Sequence, residues 1–291
     1  MIAVCLKWVD HRVDPAVLGA PTPDRRFAGV SAADQAALEW GLRCRDARHA
    51  GEVVVITAGP PAAESVLRDA LAAGADRAVR IDLPFGAPSR TVAAAIAAAI
   101  AGYKPGEPTG ERTRESTGES TGESIIWCGD YSFDRGTGSV PAYIAHELGC
   151  AQALGLVAIQ IGADSSSGID VLRRLDGGRR ERLAVRGSAV LSVEGSTALL
   201  RRAPLRKLLA KRPVEVIPVA ATPLEHALEA RPYRPRPRTF APPVGATALE
   251  RVKALTAAGT ASASHGEAVT LDPAAAADRI LLALVDWGYL P

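Results

Sequence analysis

Long hydrophobic runs are missing from this chain of 291 residues. Its longest alanine-rich stretch, Val92 to Ala101, is too short and too weakly apolar to span a bilayer, which takes about 20 residues. A strong charge of one sign is also missing: 34 basic against 32 acidic residues leave a formal net charge of +2. No global field therefore argues for nucleic acid. Aromatic residues make up only 4% of the chain, while 47% is hydrophobic and much of that is alanine, a soluble globular composition. The cysteines Cys5, Cys44, Cys128 and Cys150 form no C-x-x-C, and no Cys/His cluster has zinc spacing, so no metal site is expected. They read as buried reduced thiols. His11, His49, His146, His226 and His265 are scattered, with no serine or cysteine motif to make one a catalytic base. No nucleophile–base pair and no carboxylate dyad stands out, so bond-making chemistry is not expected. The start of the chain lacks a basic segment before its apolar run, so it reads as a first strand and not a signal peptide, and the protein is expected in the cytoplasm.

What is present is an alternation of apolar runs and amphipathic stretches. Ile2 to Val9 reads as a first strand, apolar as a strand covered on both faces should be. The proline-bearing stretch His11 to Val30 reads as a long loop. Ser31-Ala32-Ala33-Asp34 is a capping box, with Ser31 at the cap and Asp34 reaching back. Val53 to Thr57 is the second strand, Pro61 opens a helix that closes at Gly74, and Ala78 to Ile81 is the third strand. Thr91 to Ala101 is the next helix and Ile125 to Cys128 the fourth strand. The order β-α-β-α-β-α-β calls for a parallel sheet with right-handed crossovers.

The stretch from Gly129 to Pro141 is the centre of this pattern. A strand leads in and an amphipathic helix with Val140, Ile144, Ala145 and Leu148 leads out. Its glycines bare backbone N–H groups, Thr137 and Ser139 offer hydroxyls at the cap, and Pro141 suits a first turn. Such a corner binds anions, because unpaired donors and the positive end of the helix dipole point the same way. An ordinary glycine turn with a hydroxyl cap has the same residues. The stretch matches neither G-x-x-x-x-G-K-[ST] nor G-x-G-x-x-G.

Residues 105–124 are low-complexity, built on Thr-Gly-Glu-Ser tetrads with no large apolar side chain to offset the entropy of ordering, and read as a disordered insertion. Val157 to Ile161, Ile169 to Leu175 and Glu181 to Val185 are short strands, with Asp176-Gly177-Gly178 as a hairpin turn and Ala189 to Val193 as a last sheet strand. Residues 1–212 are thus one α/β domain. Residues 213–291 form a Pro/Arg-rich arm without a core of its own, closed by a helix over Pro273 to Trp287, and such an arm points to an obligate partner.

In this order the motifs resemble the beta subunit of electron-transfer flavoprotein over most of residues 1–215. They are the first strand ending in Cys5-Leu6-Lys7, the Leu71-Ala72-Ala73-Gly74-Ala75-Asp76-Arg77 step, the G-x4-D-x2-T-G-x-V loop from Gly129 to Val140, Leu175-Asp176-Gly177-Gly178 and Val214-Glu215-Val216-Ile217. The resemblance implies a Rossmann-like sheet in the order 3-2-1-4-5 and a heterodimer whose alpha subunit holds the redox-active FAD. The beta subunit itself would hold AMP, or a second FAD in electron-bifurcating members. With that sheet order, a ligand belongs in the crevice at the carboxyl ends of strands one and four. Carried across by position, adenine lies against the backbone at Cys5 and Ala58, and Ser31, Ala32, Ala33 and Asp34 line the ribose side. Gly129, Asp134, Arg135, Gly136, Thr137, Gly138, Ser139 and Val140 cradle phosphate, with Asp134 accepting from a hydroxyl or holding the loop in shape.

Two positions depart from the family pattern. Ser31-Ala32-Ala33-Asp34 stands where Asn-Pro-aromatic-Asp/Cys is usual. In the partner-docking loop, Ala203 precedes Pro204 where the family has a leucine anchor, with Leu205 the nearest substitute. An alanine there buries about 2 kcal/mol less apolar surface than leucine, which points to an electron donor other than the usual acyl-CoA dehydrogenases. A stand-alone adenine-nucleotide sensor of the universal-stress type shares the same sheet, but has no use for the arm or the Asp-Gly-Gly hairpin.

Overall fold

The computed structural model describes residues 1–11, 26–48, 51–104, 123–162, 168–219, 243, 245–257 and 269–290. The chain divides into two units, Met1–Pro223 and Leu224–Pro291. Most of the expected insertion at 105–124, and the arginine-rich stretch at 231–238, lie outside the described residues.

The first unit is an α/β layer structure of the Rossmann-like class. Its strands are β1 (Ile2–Cys5), β2 (Val9–Asp10), β3 (Ala28–Gly29), β4 (Val53–Gly59), β5 (Arg77–Asp82), β6 (Ile125–Gly129), β7 (Ala151–Ile161), β8 (Ile169–Arg174), β9 (Arg180–Val185), β10 (Ala189–Val193) and β11 (Glu215–Pro218). Its helices are α1 (Ala32–Arg48), α2 (Glu64–Ala73), α3 (Ser89–Ala101), α4 (Ser139–Leu148) and the short α5 (Leu205–Leu209). One sheet runs β11-β5-β4-β1-β6-β10-β7-β8-β9, and β2 pairs with β3 apart from it. β1 lies parallel to β4 on one side and to β6 on the other, with Cys5 opposite Ile56 and Cys128. The pairs β4–β5, β5–β11, β6–β10 and β10–β7 are also parallel, while β7, β8 and β9 run antiparallel.

Alternation along the central strands sends side chains to two cores. Val4, Val55, Trp127 and Leu191 face α1 and α2, and Ala3, Val54, Ile126 and Val190 face α3 and α4. Trp127, fully buried, stacks on Trp40 of α1 with ring centroids 6.3 Å apart. Gly41 lets α1 close on the sheet here: a Cβ at this position would meet Val4 Cγ2 at 2.5 Å. Asp176–Gly178 forms the tight connection from β8 to β9, with Gly177 and Gly178 both at positive φ.

Four sequence expectations change. The first strand stops at Cys5, because the Lys7 N–H turns to the Asp34 carboxylate at 3.0 Å instead of to a neighbouring strand. The run read as Val157 to Ile161 is the end of a strand that begins at Ala151; positive-φ Gly155 and the polar Gln152 hide its first half, where the Gly155 N–H bonds Ser192 Oγ at 3.0 Å. β11 belongs to the sheet, clamped to β5 by the Arg77–Glu215 ion pair at 2.7 Å, so the first unit extends past residue 212 to Pro223. In the second unit a helix the sequence reading lacks, α6 (Ala248–Ala257), precedes α7 (Pro273–Asp286), whose first turn is capped by the Asp272 carboxylate. Among the described residues no helix is long and apolar enough to cross a membrane.

Candidate functional site

In a parallel sheet, the loops at the carboxyl ends of the strands all open on one side. Here β1 sits between β4 and β6, and the chain leaves β1 and β4 toward α1 and α2 on one face but leaves β6 toward α4 on the other, so the winding reverses between β1 and β6. The crevice between them is lined by Cys5 to Trp8, Ala58 to Pro60, Pro84 to Ala87, and the loop from Cys128 to Pro141.

The loop between β6 and α4 is shaped by glycine. Gly136 and Gly138 adopt φ of 61° and 58°, and a Cβ on Gly138 would come within 2.8 Å of the Asp130 carbonyl oxygen. Gly138 is the N-cap of α4, and no side chain hydrogen-bonds the cap. The expected hydroxyl cap is not formed: Thr137 Oγ1 and Ser139 Oγ bond each other at 2.9 Å. The first-turn N–H groups of α4 are left without side-chain acceptors, and the residues carrying them line the crevice. A ten-residue helix presents the positive end of its dipole there.

Asp134 holds this loop to the end of β1. Its carboxylate accepts from Lys7 Nζ at 2.6 and 2.7 Å, and Lys7 also reaches Ser132 Oγ at 3.4 Å. Burial works against the Asp134 charge, but the Lys7 ammonium, the Ser132 hydroxyl and the Arg135 N–H outweigh it and hold the carboxyl below the usual range. Arg135 donates to the carbonyls of Gly86 and Ala87, bridging the mouth to the loop after β5. Trp8 and Phe85 meet edge-to-face at 6.2 Å on that wall.

Beneath the loop lies Asp34. Ser31 Oγ accepts from the Asp34 N–H at 3.0 Å, as a capping residue should. The Asp34 carboxylate, however, does not serve as the other half of a capping box: it takes the backbone N–H of Lys7 at 3.0 Å and that of Gly129. Burial pushes it up to about 7 against these hydrogen bonds, the nearby Lys7 charge and the Ser31 hydroxyl. Gly129 is required at this contact, since a Cβ would stand 2.5 Å from Asp34 Oδ1 and 2.8 Å from Asp34 N. Cys5 and Cys128 line the floor side by side, and the Cys128 thiol is held well above its ordinary range by its hydrogen bond with Cys5 and by burial.

The crevice brings together Cys5, Asp34, Ala58, Gly129, Asp134, Arg135, Thr137, Gly138, Ser139 and Val140. Ser31, Ala32, Ala33 and Gly136 are not on its lining. Ser31 and Ala33 are buried, and Gly195 packs on the start of α1, so close that a Cβ there would meet Ala32 Cβ at 2.9 Å. Ala203, Pro204 and Leu205 lie away from the crevice, where Pro204 opens α5 and Leu205, Leu208 and Leu209 are exposed. Sequence reasoning missed the wall made by Pro84 to Ala87. Its signal was its place just after the third strand, on the carboxyl side where every such loop converges.

A mostly parallel α/β sheet with helices on both faces is of the Rossmann-like class, and the crevice at its reversal, beside a glycine-rich helix start, is where ligands of such sheets sit. The model of the electron transfer flavoprotein domain matches residues 25–222. The chain is 33% identical over 225 residues to protein FixA of Azorhizobium caulinodans, covering 74% of this chain and 73% of that one. It is 31% identical to FixA of Sinorhizobium fredii, covering 69% and 67%, and 31% identical to the electron transfer flavoprotein subunit beta of Clostridium acetobutylicum, covering 56% and 58%. The chain belongs to the electron-transfer flavoprotein family, whose complexes carry flavin.

Proposed function

We propose that this chain is the beta-type subunit of a heterodimeric electron-transfer flavoprotein, and that its crevice holds AMP. The observation that carries this reading is the uncapped start of α4, with its bare N–H groups in a crevice beside the end of β1. The α4 amides at Thr137 to Val140 would take the phosphate. Backbone groups at Cys5 and Ala58 would read adenine, and Asp134 would keep the loop in register through Lys7. AMP is favoured over a second FAD because, among the described residues, the two cations lining the crevice are already engaged, Lys7 by Asp134 and Arg135 by backbone carbonyls. The donors left over suit one phosphate better than a pyrophosphate. Flavin, held mainly by an alpha subunit, supplies the electron-carrying chemistry; this chain's residues supply a scaffold and a docking surface.

Flavin counting by absorbance on the co-purified heterodimer tests the choice: one flavin per dimer supports AMP here, and a second flavin contradicts it. The electron donor is a flavin-dependent or other dehydrogenase. The Ala203-Pro204 departure supports one outside the acyl-CoA group. Reduction by an acyl-CoA dehydrogenase should be slow, and a rate typical of the family would refute that assignment.

A further inference from the structure

Asp34 is a buried carboxylate with an unusual task. Its side chain joins the carboxyl ends of the strands that flank the crevice, taking one N–H from Lys7 just past β1 and one from Gly129 at the end of β6. It also lines the crevice into which the α4 amides point. Its surroundings contain little to balance a second negative charge. From β1, Cys5 is a thiol and the Lys7 ammonium is bound to Asp134 at 2.6 Å. From β6 and its loop come the Cys128 thiol and the carboxyls of Asp130 and Asp134. Along α1, Glu39 is engaged by Arg201 at 3.0 Å, and Glu194 lies in the segment that covers the helix start, paired with Arg174.

Resting on the nucleotide reading above, we propose that Asp34 is the positioning residue that spaces the ends of β1 and β6 as the ligand's seat, and that it takes up a proton when an anionic ligand occupies the crevice. With no uncommitted cation among the described residues of the lining, a phosphate and an ionised Asp34 share one cavity wall at a cost that protonation removes. Its ordinary range is raised by burial to about 7 before any ligand enters. The sign follows: below that range Asp34 is neutral in both states and affinity is full. Above it, binding must recruit a proton, so affinity falls as pH rises.

The test uses the full chain with its partner subunit, first stripped of any co-purified nucleotide, and the methyl ester of AMP, whose phosphate does not titrate between about pH 6 and 9. Calorimetry in buffers of different ionisation enthalpy should show net proton uptake on binding near neutral pH. The Kd should rise about fivefold to tenfold between pH 6 and pH 8.5. Asp34→Asn keeps an acceptor for one of the two N–H groups and mimics the neutral acid. Whatever its absolute affinity, it should bind with a Kd independent of pH. Binding that is flat in pH, with enthalpies independent of buffer, overturns the inference, and this wild-type result decides even if Asp34→Asn does not fold. Failure of the ester to bind at any pH overturns instead the nucleotide reading on which the inference stands.

Discussion

Gly129 and Asp34 show how much of this site is set by single atoms. The last residue of β6 must be glycine because the Asp34 carboxylate and backbone lie where a Cβ would go, at 2.5 and 2.8 Å. Gly129→Ala is therefore expected to push β6 and α1 apart, destabilising the protein by about 1–3 kcal/mol in chemical denaturation. It should also weaken nucleotide binding. A variant as stable and as tight as the wild type would show that Asp34 gives way instead. The sequence made Gly129, Asp134 and the glycines of the loop legible, because positive φ and bare amides have few other uses. The partner of Asp34 was not legible. A Ser-x-x-Asp spacing fits a capping box as well as a carboxylate turned toward a strand more than twenty residues earlier, and only the approach of Lys7 and Gly129 decides between them.

At the scale of elements, the helices α1 and α4 begin in opposite ways. α1 is closed by Ser31 Oγ on the Asp34 N–H at 3.0 Å and covered by Gly195. α4 begins at a left-handed glycine, its nearby hydroxyls bonded to each other. Ser31→Ala should thus cost about 1 kcal/mol of stability, the usual cost of a lost cap. Ser139→Ala should change stability by no more than about 0.5 kcal/mol. Thermal unfolding of the two variants side by side checks this, and equal losses would mean that Ser139 does cap α4. Strand and helix periodicity revealed the β1, β4, β5, β6 and β10 core with its intervening helices, because fully buried parallel strands are continuous apolar runs. β7 was half hidden for the converse reason: one of its faces is largely exposed, so its apolar residues are interrupted. β11 reads as an isolated short run until the Arg77–Glu215 pair and its pairing with β5 place it.

At the scale of the whole molecule, apolar side chains of the first unit are left uncovered away from the crevice. Leu199, Leu205 and Leu209 are exposed by 87%, 70% and 74%, well beyond what a finished surface needs at three leucines so close in sequence. In the second unit, described by itself, α7 buries none of its residues and Ile280 and Leu282 are exposed. A chain of this kind suits a subunit better than a sensor that works alone, in keeping with the family to which it belongs. The central claim concerns the crevice, and the most direct measurement is the nucleotide released when the co-purified complex is denatured and its supernatant separated by chromatography. The account predicts stoichiometric AMP from the wild type and none from Gly138→Val, whose side chain would fill the α4 cradle against the Asp130 carbonyl. A wild-type complex that releases no adenine nucleotide and binds none when it is supplied would contradict it.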